Sequence, residues 1–154
     1  MFDIGSLCSR PSVTCEVDRG IRSVADLMRN QHVGCVVVTD GGRPVGIVTD
    51  RDLVVGVLAA GVPPDSVRIG DVMTPEPATV RADASIGEAI ALMHQKGVKR
   101  LPVVDGAGSL VGLVSADDLL EYFLVPFGDL ASIMVRERDT EARRRPNRAR
   151  ETRA

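Results

Sequence analysis

Residues 46–53 read GIVTDRDL, and residues 112–119 read GLVSADDL. Each stretch is a short apolar run that closes on a hydroxyl residue, Thr49 or Ser115. An aspartate follows three positions on, Asp52 or Asp118. The match extends outward over most of the chain. Ile4-Gly5 returns as Ile69-Gly70, Thr14 as Thr79, Ile21 as Ile86, Leu27-Met28 as Leu92-Met93 and Asp40-Gly41 as Asp105-Gly106, all 65 residues apart. One residue is then added in the second hairpin turn. After it, Gly46, Val48, Asp52 and Leu53 reappear 66 residues on. Tandem units at one period mean that each unit needs its neighbour to cover its apolar face. Two copies alone predict a closed pseudo-symmetric pair rather than an open solenoid.

Each copy opens with a short turn or helical segment, Ile4–Cys8 or Ile69–Met73, and a short extended piece, Val13–Glu16 or Ala78–Arg81. An amphipathic helix follows. Its apolar positions are Ile21, Val24, Ala25 and Met28, or Ile86, Ala89, Ile90 and Met93, and spacings of three and four put them on one face. Ser85 with Glu88 forms a capping box, and Gly97 supplies a left-handed helix end, with His32 in its place in the first copy. The run 33–39 is near-continuously apolar and β-branched, and 98–104 is its copy. Each turns at Asp-Gly and runs back to Thr49 or Ser115, as a hairpin packed on both faces does. A second helix then carries Leu53, Val54, Val57 and Leu58, or Leu119, Leu120, Phe123 and Leu124. The unit is β-α-β-β-α, an α+β fold. Beyond Pro126, Leu130, Ile133 and Met134 predict a short helix that packs on something, such as a second chain.

These residues carry a resemblance. The tandem β-α-β-β-α order, with DVMTPEPATV at 71–80, DASIGEAIALM at 83–93, GVKRLPVVD at 97–105 and GLVSADDLL at 112–120, resembles a CBS-domain pair. This is the regulatory module named after cystathionine β-synthase. The first copy fits through GIVTDRDL and DGGRPVG, while its opening SLCSRPSVTC departs from the pattern. The resemblance covers residues 4–124 and is similar to short bacterial proteins that hold a CBS pair and little else. It implies two repeats, 1–66 and 67–126, packed pseudo-symmetrically. A C-terminal helix is expected at 127–138 and a flexible arginine-rich tail at 139–154.

The hydroxyl-x-x-Asp element admits two readings. Thr49 with Asp52, and Ser115 with Asp118, are plain capping boxes that need no ligand. An ionised aspartate can also accept from both hydroxyls of a ribose, while a Thr or Ser oxygen and helix-start N–H groups meet phosphate. The resemblance implies the second use, with an adenosine nucleotide as ligand. It also implies a phosphate role for the basic residues before Leu101-Pro102, namely Lys99 and Arg100. Against that stands the reading of both cations as water-facing residues of a strand start. The first copy has Gly34-Cys35 at this place, so the two sites are chemically unequal, and at most one strong phosphate site is expected. Arg51 is the alternative cation there, or else a surface residue of its helix. Adenine would lie between aliphatic side chains near Val13–Cys15 or Ala78–Val80.

Other constellations are weak. His32 and Cys35 have ligand-like spacing but no further ligand nearby in sequence. Asp50, Asp52, Asp117 and Asp118 could hold Mg²⁺ only together with a nucleotide. No nucleophile elbow and no recognisable Ser/His/Asp trio supports catalysis, and no cofactor is required. The chain of 154 residues carries a formal charge of −2, which argues against a general nucleic-acid binder. The charge is uneven: residues 136–154 hold eight Arg and four acids. The RRRPNRAR stretch at 143–150 reads as a solvated tail rather than a nucleic-acid or lipid contact. Apolar runs are too short for a membrane span, and the N-terminus lacks a secretory pattern. Three cysteines without CxxC spacing read as free thiols of a cytoplasmic protein.

The reading reached is a regulatory module that binds AMP, ADP, ATP or S-adenosylmethionine between its copies, pairs as a homodimer and modulates a partner protein. The alternative is a ligand-independent dimerisation scaffold, for example a stress-response protein.

Overall fold

The structure, a computed structural model, describes residues 3–144. The last ten residues of the arginine-rich stretch, 145–154, lie outside the described residues. The first copy runs α1 (Ile4–Leu7), β1 (Thr14–Glu16), α2 (Ile21–Gln31), β2 (Cys35–Asp40), β3 (Arg43–Thr49) and α3 (Asp50–Leu53), which widens into a π-helical turn over Val54–Leu58. Short 3₁₀ turns at Pro64–Ser66 and Ile69–Asp71 lead into the second. That copy runs β4 (Thr74–Pro75), β5 (Val80–Arg81), α4 (Ile86–Lys96), β6 (Arg100–Val104), β7 (Leu110–Ser115) and α5 (Ala116–Arg144). The α+β repeat expected from the sequence is present twice.

Local chemistry sets the helix ends. Ser85 Oγ accepts from the Glu88 N–H, and the Glu88 carboxylate accepts from the Ser85 N–H at 2.7 Å, closing the capping box at the start of α4. This bonding holds the Glu88 carboxyl below its ordinary value. Gly20 opens α2 without a side-chain cap. His32 (φ 54°) and Gly97 (φ 65°) end α2 and α4 in the left-handed region, which costs Gly nothing and His some strain.

The hairpins β2–β3 and β6–β7 form the centres of two sheets, each flanked by a parallel strand, β1 or β5. Val36, Val37 and Val38 on β2, and Leu101 and Val103 on β6, are fully buried, as strands covered on both faces should be. The copies then exchange their openings. β4, from the second copy, pairs antiparallel with β3 of the first through Gly46↔Pro75 and Ile47↔Thr74. In return Ser9 bridges Leu113 on β7. The Gly5 N–H donates to the Ala82 carbonyl at 2.8 Å, and the Gly70 N–H to the Val17 carbonyl at 3.2 Å. A side chain on Gly5 would sit 3.0 Å from the Ala82 oxygen, so the close approach requires glycine. Ile69, from the second copy, is buried in the first copy's core with Ile21, Val24, Met28, Val36 and Val48.

The described residues fall into two compact units, one running to Asp118 with both sheets in it, the other starting at Leu119. The helix α5 runs unbroken from Ala116 to Arg144, so the separate helix expected beyond Pro126 is its continuation. Proline lacks the N–H for an interior helix bond, and here the helix passes through Pro126 with that bond missing. No helix among the described residues is long and apolar enough to cross a membrane.

Candidate functional site

Exchange of the opening segments builds two clefts in the first unit, and they are images of each other under the repeat. The larger, of about 450 Å³, is lined by Ile47 and Thr49 from the end of β3, by 3 residues of the 76–78 segment, by Thr74, and by Lys96, Val98, Lys99 and Arg100 around the start of β6. The smaller, of about 270 Å³, is lined by Leu113 and Ser115 from the end of β7, by Ser9 and residues 11–13, and by Val33, Gly34 and Cys35 before β2. Asp118 and Arg100 complete it.

Grouping by copy would set Lys99 and Arg100 beside Ser115 and Asp118. The folded chain keeps only Arg100 beside Ser115 and Asp118; Lys99, and Arg100 with it, also share a cleft with Thr49 of the first copy. The cause is the exchanged β4 and Ser9 segments, which put each β-hairpin end beside the other copy's opening.

The larger cleft is cationic. Lys96, Lys99 and Arg100 line it against one carboxylate, Glu76, and the two lysines are the only ones in the chain. Lys99 is exposed and Arg100 is half-buried; neither makes a salt bridge or side-chain hydrogen bond among the described residues. Ile47, Pro77, Ala78 and Val98 supply an aliphatic wall. In the smaller cleft Arg100 stands against Asp118, with Ser9, Ser12 and Ser115 as hydroxyls and Pro11, Val13, Val33 and Leu113 as apolar lining.

Both hydroxyl-x-x-Asp elements form caps. Asp52 Oδ2 accepts from the Thr49 N–H and Oγ1, each at 2.8 Å, and the Asp52 N–H donates to Thr49 Oγ1 at 3.3 Å. Asp118 Oδ2 accepts from the Ser115 N–H at 2.8 Å and Oγ at 2.6 Å, and its own N–H donates to Ser115 Oγ at 3.1 Å. The second oxygen of each carboxylate, Oδ1, carries no hydrogen bond within the described residues. A cap and a ligand contact are thus compatible on one side chain. Asp118 lines the smaller cleft; Asp52 is half-buried and lines neither. Arg51 is exposed on α3, outside both. Asp50 Oδ1 accepts from the Arg51 N–H at 2.8 Å.

The thiols of Cys8, Cys15 and Cys35 are free and buried. Burial pushes Cys15 up to about 11. Burial also raises Cys35, with the Arg100 guanidinium partly offsetting it. Among the described residues no group of three or more His, Cys, Asp or Glu is placed to hold a metal ion. Lys96, Glu76, Thr74, Ser9 and Ser12 were not expected at a site. The repeat carries a signal for some of them, since Thr74 lies 65 residues beyond Ser9, but the periodicity does not say that both positions face a ligand-sized space.

The family model for the CBS domain matches residues 4–58 and 69–125. An uncharacterized protein of Methanopyrus kandleri is 38% identical over 119 residues, 77% of this chain and 61% of that protein. The inosine-5'-monophosphate dehydrogenase of Nitrosopumilus maritimus is 32% identical over 116 residues, 75% of this chain but 23% of the enzyme. A CBS-domain protein of Pyrobaculum aerophilum, solved in complex with AMP, superposes with a TM-score of 0.68 at 28% identity, over 76% of this chain and 89% of that one.

Proposed function

The chain belongs to the CBS-domain family as a tandem pair, and we propose that it is a regulatory module whose larger cleft binds a phosphorylated adenosine ligand. The observation that carries this reading is the convergence of Lys96, Lys99 and Arg100 with Thr49 beside an aliphatic wall. Three cations against one carboxylate suit an anion, and arginine's planar fork suits phosphate in particular. Thr49 Oγ1 lines the same cleft at the end of β3 as a further polar contact, while the first N–H groups of α3 are already given to the Gly34 carbonyl, Asp50 Oδ1 and Thr49 Oγ1. The adenine then lies against Ile47, Pro77, Ala78 and Val98. The AMP complex of the Pyrobaculum aerophilum protein supports the choice of nucleotide. Asp118, through its uncommitted oxygen, serves ribose in the smaller cleft, with Ser115 beside it. Mg²⁺ enters only with a nucleotide's phosphates. Occupancy shifts the two copies against each other and so the state of a partner protein; the module itself is not catalytic.

Thermal unfolding with AMP, ADP, ATP, adenosine and S-adenosylmethionine tests the reading. A true ligand at about 100 times its Kd adds roughly 2.7 kcal/mol. No stabilisation by any of them overturns it.

A second reading rests on a separate observation. Val54, Val55 and Leu58 are exposed after α3, and Leu120, Phe123, Leu124, Phe127, Leu130 and Ile133 are exposed on α5. Such apolar residues mark an association surface. A homodimer accommodates them, and it would persist if the clefts took no ligand.

A further inference from the structure

Arg100 lines both clefts. It is the one residue common to the two linings, and its side chain is committed to no salt bridge among the described residues. Its position at the first residue of β6 explains the sharing. The Arg100 backbone pairs with Ser115 of β7, whose side chain lines the smaller cleft, while Lys99 and Val98 lead into the larger. Its field also reaches the Cys35 thiol in the smaller cleft.

The consequences for the two clefts are unequal. The larger keeps Lys96 and Lys99 when the guanidinium turns away. The smaller has no other cation; without Arg100 it is left with the Asp118 carboxylate and its hydroxyls. One guanidinium cannot fork onto phosphates in two places at once. We infer that Arg100 couples the clefts negatively for anionic ligands: a phosphate held in the larger cleft withdraws the only cation from the smaller, which is then left to uncharged ligands. The inference rests on reading the clefts as nucleotide sites, and it adds that binding in one reports on the other. A ratio of a charged to an uncharged adenosine ligand is then sensed by a single chain.

Calorimetry with AMP and with adenosine tests this on four chains: wild type, Pro77→Trp, Ser12→Trp and Arg100→Gln. Pro77 and Ser12 occupy matching places in the repeat, one lining each cleft, so each tryptophan fills one cleft and leaves the other. The second AMP should bind wild type about 5–150-fold more weakly than AMP binds Pro77→Trp, the usual range of a coupling between sites. Adenosine should show no such gap, and Arg100→Gln should abolish the gap for AMP. A wild-type AMP isotherm equal to the sum of those of the two single-cleft variants overturns the coupling and leaves ligand binding standing. So does failure of Pro77→Trp to bind AMP while wild type does. No binding of either ligand to wild type overturns both readings. Should a tryptophan variant not fold, the Arg100 Nε–Hε resonance of the wild-type protein decides. It should shift fully with the first equivalent of AMP and stay in place with adenosine; a shift spread evenly over two equivalents overturns the coupling.

Discussion

Thr49, the last residue of β3 in the first copy, and Arg100, the first residue of β6 in the second, line the same cleft. They are 51 positions apart in sequence and belong to different repeats. Their meeting depends on β4, which leaves its own copy to extend the first copy's sheet at Ile47 and Gly46.

Lys99→Ala combined with Arg100→Ala should weaken AMP by roughly 100-fold or more while changing adenosine affinity less than about threefold, since each of the two charge-assisted bonds contributes about 1.5–3 kcal/mol and about 1.4 kcal/mol is tenfold. Isothermal calorimetry on both ligands reads the ratio. An unchanged ratio of AMP to adenosine affinity would remove both cations from phosphate contact.

Asp118→Ala should cost about 1 kcal/mol of stability through the lost cap. It should also weaken adenosine in the smaller cleft, with the larger cleft unaffected because Asp118 does not line it. Melting temperature and calorimetry on Ser12→Trp, which keeps only the larger cleft, separate these effects. A loss of affinity in that background would contradict the assignment.

Ile69→Ala should destabilise the first unit by about 2–5 kcal/mol, because a fully buried side chain is removed from the core of the other copy. Urea unfolding should remain a single transition at lower midpoint. Two separated transitions would mean that the copies fold independently.

Cys15 makes stability fall in alkali. Its folded value of about 11 lies above the ordinary 9.0. Between these values the folded state holds a proton that the unfolded state has released. The stabilisation is therefore complete below pH 9.0 and lost as pH rises toward 11. Melting temperature should decline over this window, and less steeply in Cys15→Ala. Cys35, raised in the same direction, adds to the slope. A flat profile from pH 8 to 11 would refute the burial account.

Much of this was legible along the chain. The 65-residue period is read by setting the chain against itself, and the Ser85–Glu88 box and the left-handed ends at His32 and Gly97 are local features, carried by residues within a few positions of each other. Both readings of Ser115 and Asp118 were also visible; the geometry shows the cap, made through Oδ2, and leaves Oδ1 without a hydrogen bond among the described residues. Pro126 misled because a proline breaks a helix by local preference, while α5 passes through it. Lys96 stood on the last turn of an amphipathic helix and gave no sign of a neighbouring cleft.

By itself, the sequence determined that two β-α-β-β-α units exist, where their strands and caps lie, and that one unit has Lys99-Arg100 where the other has Gly34-Cys35. Periodicity and capping act over a few residues, so one dimension suffices for them. Only the tertiary structure decided which hydroxyl meets which cation. Repetition of the same element order gives each hairpin two candidate partners, its own copy's opening and its neighbour's, and the order of elements alone does not choose between them. The close backbone approaches at Gly5–Ala82 and Gly70–Val17, and the burial of Ile69 in the other copy, hold the exchanged pairing. That choice places Thr49 with Arg100, and it leaves Arg100 between two clefts.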